Sequence, residues 1–191
     1  MKTVDLAIWL QHNVDWNKYV SLVHAIGDEL NERKLRFDKN DLLERSLELF
    51  SDQNLIYVNL EGVDHIGPEG TTIEMKFTEN ALFTSKKKQQ KKHVSDLQLM
   101  NSRGSSAGRT LPASYADFLL IADVDSAAVI AKEDLLPYVV DAGDELKTSK
   151  LPSNMVQYVF VPGQYKPQKL AESVSYKDAK MKMQRDFLAK F

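Results

Sequence analysis

Three side chains between residues 62 and 78, "GVDHIGPEGTTIEMKFT", are of types that together can hydrolyse a phosphodiester: Asp64, Glu74 and Lys76. Side chains alternate across a β-strand, so Glu74 and Lys76 share one face of "TTIEMKF" while Ile73, Met75 and Phe77 take the core face. Asp64 lies at the end of the preceding strand or in its turn, and strand pairing would return it beside Glu74. Two carboxylates at close range repel each other unless a cation sits between them. Hard oxygen ligands favour Mg²⁺, with the Met75 backbone carbonyl as a further ligand. Such an ion polarises a phosphate and helps form hydroxide from bound water. Lys76 would then activate that water or stabilise the charge that builds on phosphorus. The same residues also fit a turn Asp beside a salt bridge on a half-solvated strand, an arrangement that contributes little.

Those side chains must be held by a core. The first fifty residues read as helical, with Trp16, Tyr19, Leu22, Val23, Ile26 and Leu30 on one face between Asp15 and Lys34. Asn40 serves as N-cap for a second helix, "DLLERSLELF", whose Glu44 and Glu48 share a face. Glu44, near the helix start, is the preferred further carboxylate and Glu48 the alternative. Strands follow at 54–60 and 71–77, joined by a turn, "EGVDHIGPEG". A basic helix or irregular arm then runs from about Lys86 to Met100, followed by the loop "NSRGSSAGRTLP". "ADFLLIADV" and "AAVIA" are apolar strands across an Asp125-Ser126 turn. "KEDLLPYVVDAG" suggests a helix ending at Gly143 with Pro137 early in it or kinking it, and "NMVQYVFVPG" a last strand. A Lys-rich helix closes the chain from Tyr176 to Phe191. The expected fold is α/β, a central mixed sheet flanked by helices. One domain spans 1–191: N-terminal helices at 1–53, a core at 54–163 and a helical tail at 164–191.

Charge is unevenly spread. The chain carries a net −2, yet between Asn80 and Pro112 seven basic residues face one acid, Asp96. Lys86, Lys87, Lys88, Lys91 and Lys92 suit phosphate contacts, where neutralisation releases counterions. They suit a plain solvated face as well. Asn101, Ser102, Arg103 and Arg109 are candidates for base contacts, since Arg reads guanine and Asn reads adenine in the major groove. The four histidines form no ligand or triad spacing, and His65 reads as a turn residue. The absence of cysteine excludes disulfides, thiolate zinc sites and a Cys nucleophile. No apolar run approaches the roughly 20 residues of a membrane span. The N-terminus, broken by Asp5, Gln11 and His12, does not read as a signal peptide, which favours the cytoplasm.

The spacing of Asp64 and Glu74-Met75-Lys76 resembles the PD-(D/E)XK nucleases, with Val63 where that pattern has proline. Three other acidic-x-Lys triplets occur, Glu32–Lys34, Glu145–Lys147 and Asp178–Lys180. The first and third fall in expected helices and the second in an expected polar loop, none after a strand and turn with an Asp at its mouth. From Leu55 to Val124 the layout resembles type II restriction endonucleases: strand, Asp, Glu-x-Lys strand, polar arm, apolar strand. The resemblance implies a restriction-endonuclease-like core, Mg²⁺-dependent cleavage of double-stranded DNA by direct attack of water, and a homodimer. It implies Asp64, Glu74 and Met75 as metal ligands, with Lys76 and Glu44 completing the catalytic set. Alternatives are a structure-selective repair or recombination nuclease on the same scaffold, a non-catalytic nucleic-acid-binding protein, and a protein-interaction module.

Overall fold

A computed structural model describes residues 1–33, 39–60, 62–77, 98–101, 116–141, 145–148, 155–161 and 163–167. Three helices come first: α1 (Thr3–Asn13), α2 (Trp16–Arg33) and α3 (Lys39–Phe50). Asn40 lies inside α3, one residue past its start, rather than capping it. The helices pack through Trp16, whose indole N–H donates to the Leu10 carbonyl (3.0 Å). Its ring stacks on Phe160 and meets Tyr19 edge-on, which ties α1, α2 and the last strand together.

The main sheet contains β1 (Ile56–Leu60), β2 (Val63–Ile66), β3 (Thr72–Phe77), β5 (Phe118–Ala122), β6 (Ala127–Ala131) and β9 (Gln157–Phe160), in the spatial order β1-β2-β3-β5-β6-β9. β3 and β5 run parallel and all other neighbours antiparallel. This is a mixed sheet with helices against it, as the sequence led us to expect. A parallel pair needs a crossover of a dozen residues or more, and the segment between Phe77 and Phe118, which holds the basic stretch, supplies it. Thr72 and Asp117 fix where that pairing begins. Asp117 accepts from the Thr72 backbone N–H (3.0 Å) and hydroxyl (2.8 Å), and its own N–H returns to the Thr72 hydroxyl.

Several local expectations change. The linker expected at 61–70 contains β2, so β1, β2 and β3 form a meander instead of one hairpin. Leu60 pairs with Val63 across a two-residue turn in which Gly62 has φ +71°, a left-handed conformation open to glycine. The helix expected to reach Gly143 is a single turn, α4 (Lys132–Leu135), then a 3₁₀ turn at Leu136–Tyr138. Pro137 cannot donate to a helical ladder, and the chain passes into β7 (Val139–Asp141). A small second sheet, ordered β4-β8-β7, joins β4 (Gln98–Asn101) and β7 to β8 (Glu145–Thr148). The expected loop at Glu145–Lys147 is therefore a strand, and the expected arm ends in one. The expected C-terminal helix lies outside the described residues.

Both faces of the sheet are covered, which explains why "FLLIA" and "AAVIA" are buried at every position. The larger core gathers Leu6, Leu10, Tyr19, Leu43 and Leu47 from the helices against Ile73, Met75, Leu120 and Val129. A smaller cluster of Leu119, Ile121, Ala128, Ile130, Leu135 and Val156 fills the other face. Among the described residues, no helix is long and apolar enough to cross a membrane.

Candidate active site

Strand alternation places the site. Ile73 and Met75 are buried under the helices, whereas Glu74 and Lys76 point the other way, in register with Leu119 and Ile121 of the smaller cluster. Glu74 is mostly covered, 13% exposed, and Lys76 is 46% exposed. Phe77 packs against the larger core from its rim. The same alternation in β2 buries Val63 and His65 and leaves Asp64 partly exposed on the opposite side.

Asp64 meets Glu74 because two strands separate there. β2 and β3 are paired through Ile66↔Thr72 and His65↔Ile73, and one further step of that register would set Asp64 opposite Glu74. At this step the Asp64 side chain takes over from the backbone: Met75 N–H donates to its Oδ2 at 2.6 Å. The Asp64 and Glu74 carboxyls lie close enough to act on each other, and Lys76 Nζ donates to Glu74 Oε1. In a strand the N–H and C=O of one residue point to the same side, so the Met75 carbonyl faces β2 as well. Asp64, Glu74, Lys76 and Met75 are thus brought together.

The electrostatics follow from crowding. Burial, then the Glu74 charge, raise the Asp64 pKa to about 6, against the Met75 N–H and Lys76, which pull it down. The acid pair therefore holds its negative charge at a cost that a proton or a cation beside it would relieve. For Lys76, burial works to lower the pKa but is outweighed by Glu74, Asp64 and Glu44, and the net direction is up. Lys76 is therefore a held cation at neutral pH, suited to stabilising charge rather than to taking a proton.

Glu44 sits on α3, partly buried, and its charge acts on Lys76 and on the hydroxyl of Tyr19. That hydroxyl is fully buried and its pKa stands well above the usual tyrosine value, through burial first and then Glu44 and Asp123. Among the described residues, no three His, Asp or Glu side chains gather into a ready metal cage. Glu48 is on the same helix, one turn later.

His65 is not a turn residue. It lies in β2 with no exposure, and its Nε2 is 2.7 Å from the Glu44 carbonyl oxygen. Burial lowers its pKa to about 4, against the hydrogen bond to Glu44, which works to raise it. A folded-state pKa below the usual 6.5 means the unfolded chain takes up the proton first. Stability from His65 is therefore complete above pH 6.5 and lost as pH falls through 4, by about 3 kcal/mol over that window. Asp64 has the opposite sign over nearly the same range. Unfolding of His65→Gln in denaturant, followed from pH 7 to pH 4, should show stability holding or rising toward acid. A profile no different from that of the unmodified protein would mean that another group titrates.

The remaining expected contacts to DNA are largely unplaced. Lys86, Lys87, Lys88, Lys91, Lys92, Ser102, Arg103 and Arg109 lie outside the described residues. Asn101, expected in a loop, closes β4 opposite Glu145. Of the other acidic-x-Lys triplets, Glu145–Lys147 lies in β8, against expectation beside a strand ending in Asp, since β7 closes at Asp141 opposite Leu146; Glu32 lies in α2, and Asp178–Lys180 lies outside the described residues. The chain matches no protein-family model and no curated protein sequence.

Proposed function

We propose that the chain is a Mg²⁺-dependent endonuclease that cleaves double-stranded DNA at a specific sequence, with a restriction-endonuclease-like core and two copies acting together. The observation that carries this is the Asp64–Glu74 carboxyl pair at the point where β2 and β3 separate, with Lys76 held on Glu74. An ordinary surface salt bridge does not need a second carboxyl crowded against the first.

The donor set fits the ion. Mg²⁺ is commonly held by one or two carboxylates and keeps several waters, so two carboxylates and one carbonyl are enough. Asp64 and Glu74 would hold it, with the Met75 carbonyl on the same side of β3. The crowded acid pair supports this, since a divalent ion would relieve both the repulsion and the raised Asp64 pKa. Once bound, Mg²⁺ would make its coordinated water a hydroxide source and draw charge from the phosphate. Lys76, fixed by Glu74, places a positive charge two residues along the same face, where it can orient the attacking water and meet charge on the phosphoryl oxygens. The apolar cluster beside Glu74, Leu119 and Ile121 included, limits water around the pair and strengthens these interactions. The basic run in the β3–β5 crossover would add phosphate contacts, and Asn101, Ser102, Arg103 and Arg109 would read bases.

The direct test is to incubate the protein with long linear DNA of known sequence, with Mg²⁺ and with EDTA. Discrete fragments that disappear in EDTA are expected. A smear would keep the catalytic site and remove sequence specificity, favouring a repair or structure-selective nuclease. Intact DNA in both samples, with salt-sensitive binding, would favour a non-catalytic binding protein.

A further inference from the structure

His65 is a buried polar residue that the proposed chemistry does not use. Its Nε2 lies 2.7 Å from the Glu44 carbonyl. A carbonyl oxygen only accepts, so Nε2 carries the hydrogen and the imidazole donates to the interior of α3. A helix carbonyl keeps a second lone pair for such a bond. Nδ1 is then an unprotonated, buried nitrogen with no hydrogen-bond partner. An aliphatic residue would fill the same space without leaving a polar atom unmatched, so the imidazole is held here at a cost. The ring is also aimed from its other side. Tyr57 of β1 meets it edge-on, with centroids 5.7 Å apart, and the Arg45 guanidinium lies 4.6 Å over the Tyr57 ring. Arg45 follows Glu44 in α3. The contacts close a circuit: α3 to β2 through His65, β2 to β1 through the rings, and β1 back to α3 through Arg45.

What the circuit holds still is informative. On the far side of β2 from His65, one residue earlier, is Asp64. On the clipped turn of α3 is Glu44, whose charge acts on Lys76. We propose that His65 is a positioning residue for this centre: its Nε2–H···O=C bond to Glu44 locks α3 to β2 and sets the Glu44 carboxylate relative to Lys76. The proposal rests on the nuclease reading above. It assigns Glu44 to the lysine, not to the metal pair, and gives the helix layer a part in the reaction on the opposite face of the sheet.

The test is a double-mutant cycle on DNA cleavage with Mg²⁺, using His65→Leu, His65→Gln, Glu44→Gln and the Leu/Gln double variant. His65→Leu should lower kcat about 10- to 100-fold, the range for residues that orient others, with KM for DNA unchanged. His65→Gln should recover most of that, because its side-chain amide can donate to the same carbonyl. In the Glu44→Gln background, His65→Leu should cost less than twofold more. Equal loss in both backgrounds would overturn the proposal and reduce His65 to a core residue, as would a Gln variant no better than Leu. If His65→Leu does not fold, His65→Met, of similar length and without a donor, replaces it in the cycle. Calorimetric titration of Mn²⁺ into the unmodified protein separates the two claims. Mn²⁺ binding and cleavage together with no effect at His65 would sink only the positioning role; neither binding nor cleavage would sink the nuclease reading and this one with it.

Discussion

Lys76→Ala should abolish DNA cleavage while leaving DNA affinity within about twofold. The expected loss is at least 10³-fold in kcat, at the upper end of what one preorganised donor supplies and reinforced by its effect on the neighbouring acids. The reason is position. Nζ is anchored to Glu74 and shares its face of β3, so its charge is directed at the carboxyl pair, whereas DNA affinity would be spread over many basic side chains of the crossover. Lys76→Arg should recover little, since a planar guanidinium does not reproduce a compact ammonium. Folding should change by no more than about 1 kcal/mol, because the side chain is 46% exposed and its ion pair is screened. Single-turnover cleavage and fluorescence-anisotropy binding measured on one preparation decide the matter. Parallel loss of cleavage and binding would mark Lys76 as a phosphate contact and count against a catalytic role.

The second large effect concerns Asp64 and is read without DNA. With its pKa raised from 3.8 to about 6 in the folded state, Asp64 contributes stability when protonated and loses it as pH rises through 6. At pH 8 without metal, the carboxylate should cost about 3 kcal/mol relative to pH 4, considered apart from other groups. Asp64→Asn keeps an oxygen for the Met75 N–H, offers Glu74 a donor, and removes the repulsion. It should therefore raise the Tm of the metal-free protein at pH 8 by about 6–12 °C, using the usual 2–4 °C per kcal/mol for a chain of this size, and change little at pH 4. Mg²⁺ should stabilise the unmodified protein at pH 8, by an amount set by its concentration over Kd, and should leave Asp64→Asn unmoved. The variant should also cut no DNA, so a more stable protein would be an inactive one. A Tm unchanged by substitution and by Mg²⁺ at pH 8 would show that the acid pair is not strained and is no cation site.

The two titrations explain why one pH profile of the unmodified protein would mislead. Between pH 6 and 4 the His65 contribution falls while that of Asp64 rises, each by about 3 kcal/mol. The sum is nearly flat, and only the single substitutions expose either term.

Much of this architecture is local and was legible in the sequence. The alternation of Ile73, Met75 and Phe77 with Glu74 and Lys76 sets which face each occupies, because a strand has a period of two whatever surrounds it. The unbroken apolar runs at 118–122 and 127–131 announced strands covered on both faces. The Asp125-Ser126 turn was equally plain, although the residue that organises it is Asp123, which accepts from Asp125 N–H at 2.7 Å. The short strands were not legible. "VDHI" is too brief, and too close to glycine and proline, to be told from a turn by periodicity, so β2 emerges only when β1 and β3 are present to pair with it. β7 and β8 likewise exist through their neighbours.

The site divides along the same line. Sequence determined the residue types: two acids and a lysine, at a spacing that allows them to meet. It also determined that Glu74 and Lys76 meet each other, since i and i+2 on one strand share a face. Only the tertiary structure decided that Asp64 joins them, because that depends on the register of β2 against β3 and on the ladder giving way at the step where a side chain can replace a backbone partner. Only it revealed His65 against Glu44, twenty-one residues apart on different elements. Periodicity is carried by the chain itself, whereas distances between elements are set by packing, and the chemistry proposed here depends on both.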